Sequence, residues 1–93
     1  LVLCNVIPDT VRVERTNPDL VAAFASVMRE RRKAMGLSQE ELAFRADLSV
    51  SYISFLETKR RQPTLTVMDV LSRQLDLSLV ELMTEIERQR RTS

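Results

Sequence analysis

The stretch Ser38–Glu57 constrains this chain more than any other, because it carries the start and stop signals of two short helices with almost nothing between them. Ser38 and Glu41 have the reciprocal spacing of a capping box. The serine oxygen accepts from the backbone three residues on, and the carboxylate reaches back to the serine N–H. The helix opened there has its apolar face at Leu42, Ala43 and Ala46. Asp47-Leu48-Ser49 breaks that period, and Ser49 is a suitable N-cap for a second helix ending near Glu57 or Thr58. Ile53 and Leu56 lie on the buried side of this second helix, and Leu48 joins them from the turn. Ala43 sits where the two helices cross, so a larger side chain there would push them apart.

Two short helices joined this tightly have the design of a helix-turn-helix, whose second helix can lie in the major groove of DNA. The flanking residues sharpen the reading. Gly36-Leu37-Ser38-Gln39-Glu40-Glu41-Leu42-Ala43, then Leu48-Ser49, Ile53-Ser54, Glu57 and Pro63, resembles the lambda-repressor-like (Cro/repressor, XRE) helix-turn-helix family over Phe24 to Met83. The joint spacing makes the match specific, where Ser-Gln-Glu-Glu alone would be weak. The resemblance implies an all-α fold, a compact five-helix DNA-binding domain, here over residues 17–93; residues 1–16 do not belong to the family pattern and are read as a short N-terminal arm. It implies a sequence-specific transcriptional regulator that binds a palindromic operator as a homodimer. It also implies that Arg32 pairs with Glu57 in a structural ion pair, and that Gln39 and Tyr52 contact phosphate. The chain departs from the family pattern at Asp47, Lys59 and Asp76, where glycine is usual. Glycine suits a left-handed backbone after a helix; aspartate tolerates that conformation fairly well and lysine less so.

The other helices follow from their punctuation. Asn17-Pro18-Asp19 combines an N-cap, a first-turn proline and an acid near the positive helix end. This predicts a helix to about Met35, stopped by Gly36, with Leu20, Phe24, Val27, Met28 and the stem of Arg31 along one face. Arg29 and Lys33 read as solvated cations near its negative end. Thr64 or Thr66 caps a fourth helix through Leu75, with Val67, Met68, Leu71 and Leu75 turned inward. Asp76-Leu77 ends it, and Ser78 with Glu81 is a second capping box, opening a fifth helix through about Arg90. That helix has more apolar residues than one core contact needs. Leu79 and Leu82 are expected to pack on the first and fourth helices, and Val80, Met83 and Ile86 to form a dimer interface.

With Ile53 and Leu56 inward, the opposite face of the second motif helix carries Val50, Ser51, Ser54 and Phe55, the candidate base readers. Serine can donate to or accept from several bases, and Val50 and Phe55 can pack on a thymine methyl. Such contacts discriminate less than a bidentate Arg or Gln, so part of the specificity is expected from DNA shape or from Arg60 and Arg61. Ser49 at the N-cap and the cations Lys59, Arg60 and Arg61 are placed to meet phosphate on either side of the groove.

Composition removes several other classes. At 93 residues the chain has the size of one small domain, and 44% hydrophobic with 29% charged residues fits a folded one. The net charge of +1 does not by itself announce a nucleic-acid binder, so local distribution must carry that reading. The single cysteine, Cys4, allows no intramolecular disulfide, and without histidine the Cys-His catalytic arrangement and His-containing zinc sites are excluded. No paired acids or Gly-rich phosphate loop suggests an enzyme, and no cofactor, metal or small-molecule ligand is expected. No apolar run approaches the ~20 residues of a membrane span, and the start lacks the basic region of a signal peptide, so a cytoplasmic protein is expected. Val2, Leu3, Val6 and Ile7, Pro8-Asp9, and alternating Val11-Arg12-Val13-Glu14 admit two readings, a flexible arm or strands that pair with their copy in a dimer. The partners expected are double-stranded DNA and a second copy of the chain. The alternative is a protein-interaction module, antitoxin-like, that touches DNA weakly and uses apolar Val50 and Phe55 to hold a protein partner.

Overall fold

A computed structural model describes residues 15–92, which form five α-helices and no strand. They are α1 (Pro18–Ala34), α2 (Gln39–Ala46), α3 (Val50–Glu57), α4 (Leu65–Gln74) and α5 (Leu79–Thr92). Val2–Ile7 and Val11–Glu14, read as a flexible arm or as strands, and Cys4 lie outside the described residues. Each helix start is made by the side chain that its sequence signal names. Asn17 accepts from the Leu20 N–H, Ser49 from that of Tyr52 and Thr64 from that of Val67, each at 3.1 Å. Both capping boxes close: Ser38 with Glu41 and Ser78 with Glu81 each exchange bonds of 3.0 and 2.8 Å. Thr64 rather than Thr66 caps α4, because its hydroxyl is the one within reach of the Val67 N–H.

The ends of the first four helices use one device. After α1, Gly36 has φ +74°, the Leu37 N–H bonds back to the Arg32 carbonyl and the Gly36 N–H to that of Lys33. The same pair of bonds recurs around Asp47 (φ 58°), Lys59 (φ 67°) and Asp76 (φ 63°). This is the Schellman closure, which satisfies carbonyls that a helix end would otherwise leave bare. The residue after the left-handed position normally tucks an apolar side chain onto the helix it ends, and Leu37, Leu48 and Leu77 stand there. After α3 that position is Arg60, exposed, so this turn presents a cation where the others present leucine.

The core gathers one stripe from each helix: Phe24, Val27 and Met28 of α1, Leu42 and Ala43 of α2, Ile53 and Leu56 of α3, Leu71 of α4, and Leu82 and Ile86 of α5. α1 packs along α5 and against α3, while α2 packs on α3 and α4. Ala43, 2% exposed, stands in the α2–α3 crossing. Two expectations for α5 are corrected. Ile86 is fully buried in the protomer core, because it lies one turn beyond Leu82 on the stripe that meets α1, so it is not free for a partner. Leu79 packs against the core as expected, half-buried at its rim where it opens the helix. The helix also continues to Thr92 instead of ending near Arg90.

A lysine in the left-handed region costs about 1–2 kcal/mol, part of which glycine returns through a more disordered unfolded chain. Lys59→Gly should therefore stabilise the fold by roughly 0.5–1 kcal/mol in urea unfolding, although it removes a cation from the surface.

Candidate nucleic-acid interface

The geometry of α3 is set by a buried ion pair. Arg32 on α1 is 8% exposed and Glu57 at the end of α3 is 6% exposed. The guanidinium meets the carboxylate as a fork, Nε to Oε2 at 2.6 Å and Nη2 to Oε1 at 3.0 Å. Nη1 donates to the Leu37 carbonyl at 2.8 Å, so the same arginine also holds the loop entering α2. The Gln39 side chain, at the first position of α2, donates to Glu57 Oε1 at 2.9 Å. Four segments meet at one carboxylate and one guanidinium: α1, the α1–α2 loop, the start of α2 and the end of α3.

Burial pushes the Glu57 carboxyl up. The hydrogen bonds from Arg32 and Gln39, with the charges of Arg32 and Arg29, together outweigh it and hold the group below its ordinary value. A second arginine of α1 serves another helix end: Arg31 Nη2 donates to the Leu75 carbonyl at 2.8 Å, at the end of α4. The bond from Gln39 to Glu57 and that from Arg31 to Leu75 were not legible from spacing, because each joins residues far apart in the chain.

Anchored in this way, α3 turns Ile53 and Leu56 inward and Val50, Ser51, Ser54 and Phe55 outward to differing degrees. Val50, 40% exposed, and Ser51 are exposed, whereas Ser54 and Phe55 are half-buried. Ser49 spends one oxygen lone pair on the Tyr52 N–H and keeps its O–H as a donor. Tyr52 is half-buried against the core rim. Lys59, Arg60 and Arg61 follow in an exposed turn, and Arg60 and Arg61 both donate backbone N–H bonds to the Phe55 carbonyl, at 2.9 and 3.3 Å. That fold-back brings the Arg61 guanidinium carbon to 5.7 Å from the centre of the Phe55 ring, a cation–π stack. The turn cations and the outward face of α3 are thus one continuous surface.

Sequence reasoning missed one exposed aromatic. Phe44 on α2 is 87% exposed. The signal was present, since Leu42, Ala43 and Ala46 already occupy the inward face and leave position 44 pointing out.

The family model described as helix-turn-helix matches residues 28–82, which include every element of this surface. The chain belongs to the XRE-type helix-turn-helix transcriptional regulators. It is 43% identical over 61 residues to the uncharacterized HTH-type transcriptional regulator y4dJ of Sinorhizobium fredii, covering 66% of this chain and 74% of the relative. Among solved structures, the restriction-modification controller protein C.AhdI of Aeromonas hydrophila is 39% identical, with 67% of this chain and 94% of that one aligned at a TM-score of 0.64. The clp gene regulator ClgR of Corynebacterium glutamicum shares the fold at 23% identity, 78% coverage of each chain and a TM-score of 0.74. Members of this family are DNA-binding transcription regulators and not enzymes. No helix among the described residues is long and apolar enough to cross a membrane.

Because the folded carboxyl of Glu57 lies below its unfolded value, the pair's stabilisation is fully present above the ordinary carboxylate range. It is lost as pH falls through the lowered folded value. Glu57→Gln strands a buried guanidinium and should cost about 3–5 kcal/mol at neutral pH. It should also flatten the loss of stability that the parent protein shows on acidification, both read from urea unfolding across a pH series.

Proposed function

We propose that this regulator binds a two-fold-related operator as a homodimer, with α3 entering the major groove. The observation that carries the reading is the Arg32–Glu57–Gln39 network, which ties the end of α3 to α1 and α2 while Val50 and Ser51 on its outward face stay exposed. Val50 and Ser51 at the start of α3 meet base edges, and Ser54 and Phe55 extend the contact along the helix. Ser49 and Tyr52 at the helix start, and Lys59, Arg60 and Arg61 after its end, meet the phosphates. Gln39 joins them with the second N–H of the amide that already holds Glu57. The restriction-modification controller C.Esp1396I, 25% identical over 76% of this chain with a TM-score of 0.72, has been solved as a tetramer on its natural 35-base-pair operator. That likeness supports both DNA binding and self-association here.

For the dimer, α5 offers Val80, 75% exposed, beside Met83 and Leu79, both partly buried. These residues line an open surface groove together with Glu87 and Arg91, and Leu65 of α4 is a further exposed apolar residue, at 72%. Ile86 is left out because its side chain is spent inside the protomer. The arm at Leu3 to Ile7 is proposed to add to this interface.

The second reading, a module that binds a protein partner, gains support from Phe44 and loses it at Phe55. The first is a large apolar side chain with nothing over it; the second is stacked under Arg61. A mobility-shift assay at ~100 mM salt separates the two, since specific regulators bind their sites at roughly nanomolar affinity or better.

Arg60→Ala should weaken binding to all duplexes and lower the salt slope by about one, whereas Ser51→Ala should alter which sequences are preferred and leave that slope unchanged. Selection returning the parent operator at unchanged preference from Ser51→Ala and Val50→Ala would exclude α3 as the reader. Separately, Val80→Glu with Met83→Glu should turn a dimer into a folded monomer in sedimentation at ~100 µM, with loss of cooperative binding to half-sites about 34–36 Å apart. A parent protein that is already monomeric at that concentration would exclude the interface.

A further inference from the structure

The outward face of α3 carries no side chain able to make a bidentate contact with a base. Its residues are Val50, Ser51, Ser54 and Phe55, and the helix holds no Arg, Lys, Asn or Gln at all. The Gln39 amide is bonded to Glu57, at the far end of α3 from Val50 and Ser51. Of the turn cations, Arg61 is stacked on Phe55 and Arg60 leaves the helix at its far end. What this face offers a base edge is therefore the branched aliphatic group of Val50, two hydroxyls and the part of the half-buried Phe55 ring that Arg61 leaves open.

In the major groove, thymine differs from cytosine in two ways. It bears a C5 methyl, and it shows an acceptor at C4 where cytosine shows an amino donor. A serine hydroxyl can rotate to donate or to accept, so it meets either C4 group and hardly separates them. Valine and phenylalanine respond to the methyl alone. 5-Methylcytosine carries that same methyl at that same place.

Resting on the proposed insertion of α3 into the groove, we propose that this surface reads the pyrimidine C5 methyl whichever base carries it, so that 5-methylcytosine substitutes for thymine in the operator. Occupancy of such an operator would then respond to cytosine methylation. Removing one buried methyl lowers affinity about fourfold, against roughly five- to hundredfold for a lost bidentate pair. The effect is graded, and it adds over the thymines beneath Val50 and Phe55.

The test uses the full chain and an operator obtained by in vitro selection, remade with T·A, U·A, C·G or 5-methylcytosine·G at each thymine that α3 covers. Thymine and 5-methylcytosine duplexes should bind alike. Uracil and cytosine duplexes should each bind about fourfold more weakly per position, with an unchanged salt slope. Val50→Ala, at a 40% exposed position where folding is not at stake, should narrow the thymine-over-uracil ratio. Uracil binding as well as thymine, 5-methylcytosine binding no better than cytosine, or a selected core without thymine would each overturn the proposal and leave the operator-binding reading intact. Failure of selection to yield any preferred sequence would instead overturn that reading.

Discussion

The fold hangs on one guanidinium. Arg32 satisfies both oxygens of Glu57 and a backbone carbonyl at once, and this explains why arginine and not lysine stands there: the planar fork matches a carboxylate in two places while a third N–H remains for Leu37. Burying two charges is costly unless each is met by its partner and by further hydrogen bonds. Gln39 supplies the additional bond on the acid side and Leu37 on the basic side. The network links the longest described helix to the short helix that carries the proposed reading face, so the orientation of α3 does not depend on apolar packing alone.

That support matters because α2 and α3 each have 8 residues, too few to be stable as isolated helices in water. Their persistence comes from both ends and from one side. Ser38 and Ser49 satisfy the first N–H groups, left-handed Asp47 and Lys59 return the last carbonyls to the chain, and Leu42, Ala43, Ile53 and Leu56 anchor the helices in the core. The connection between them has room only for these capping residues, which keeps the second helix close to the first and raised toward solvent.

At the end of α3, stability and the proposed phosphate contact compete for the same position. A glycine at 59 would suit the left-handed turn, but it would not place a cation beside the reading face. Arg60 occupies the place where the equivalent turns put leucine, giving up an apolar contact for charge. Arg61 recovers some of that loss by covering Phe55, so a ring that would otherwise be exposed has a polar neighbour suited to a phosphate-rich partner.

The helix starts, the inward stripes of the first four helices and the existence of an outward face on α3 were legible in the sequence. They are decided within a few residues, by hydroxyls and carboxylates at cap spacing and by the 3.6-residue period. The tight turns at Asp47, Lys59 and Asp76 were legible through resemblance to a glycine pattern. The resemblance also named the Arg32–Glu57 pair. Its third and fourth bonds, to Leu37 and from Gln39, needed the tertiary structure, as did the stacking of Arg61 on Phe55. The sorting of α5 also lay beyond the sequence. Leu79, Val80, Met83 and Ile86 are all apolar, and helical period alone cannot say which of them α1 covers. Packing decided it, burying Ile86 and leaving Val80 bare, because local chemistry sets where a helix begins and ends while only its neighbours set which side of it meets water.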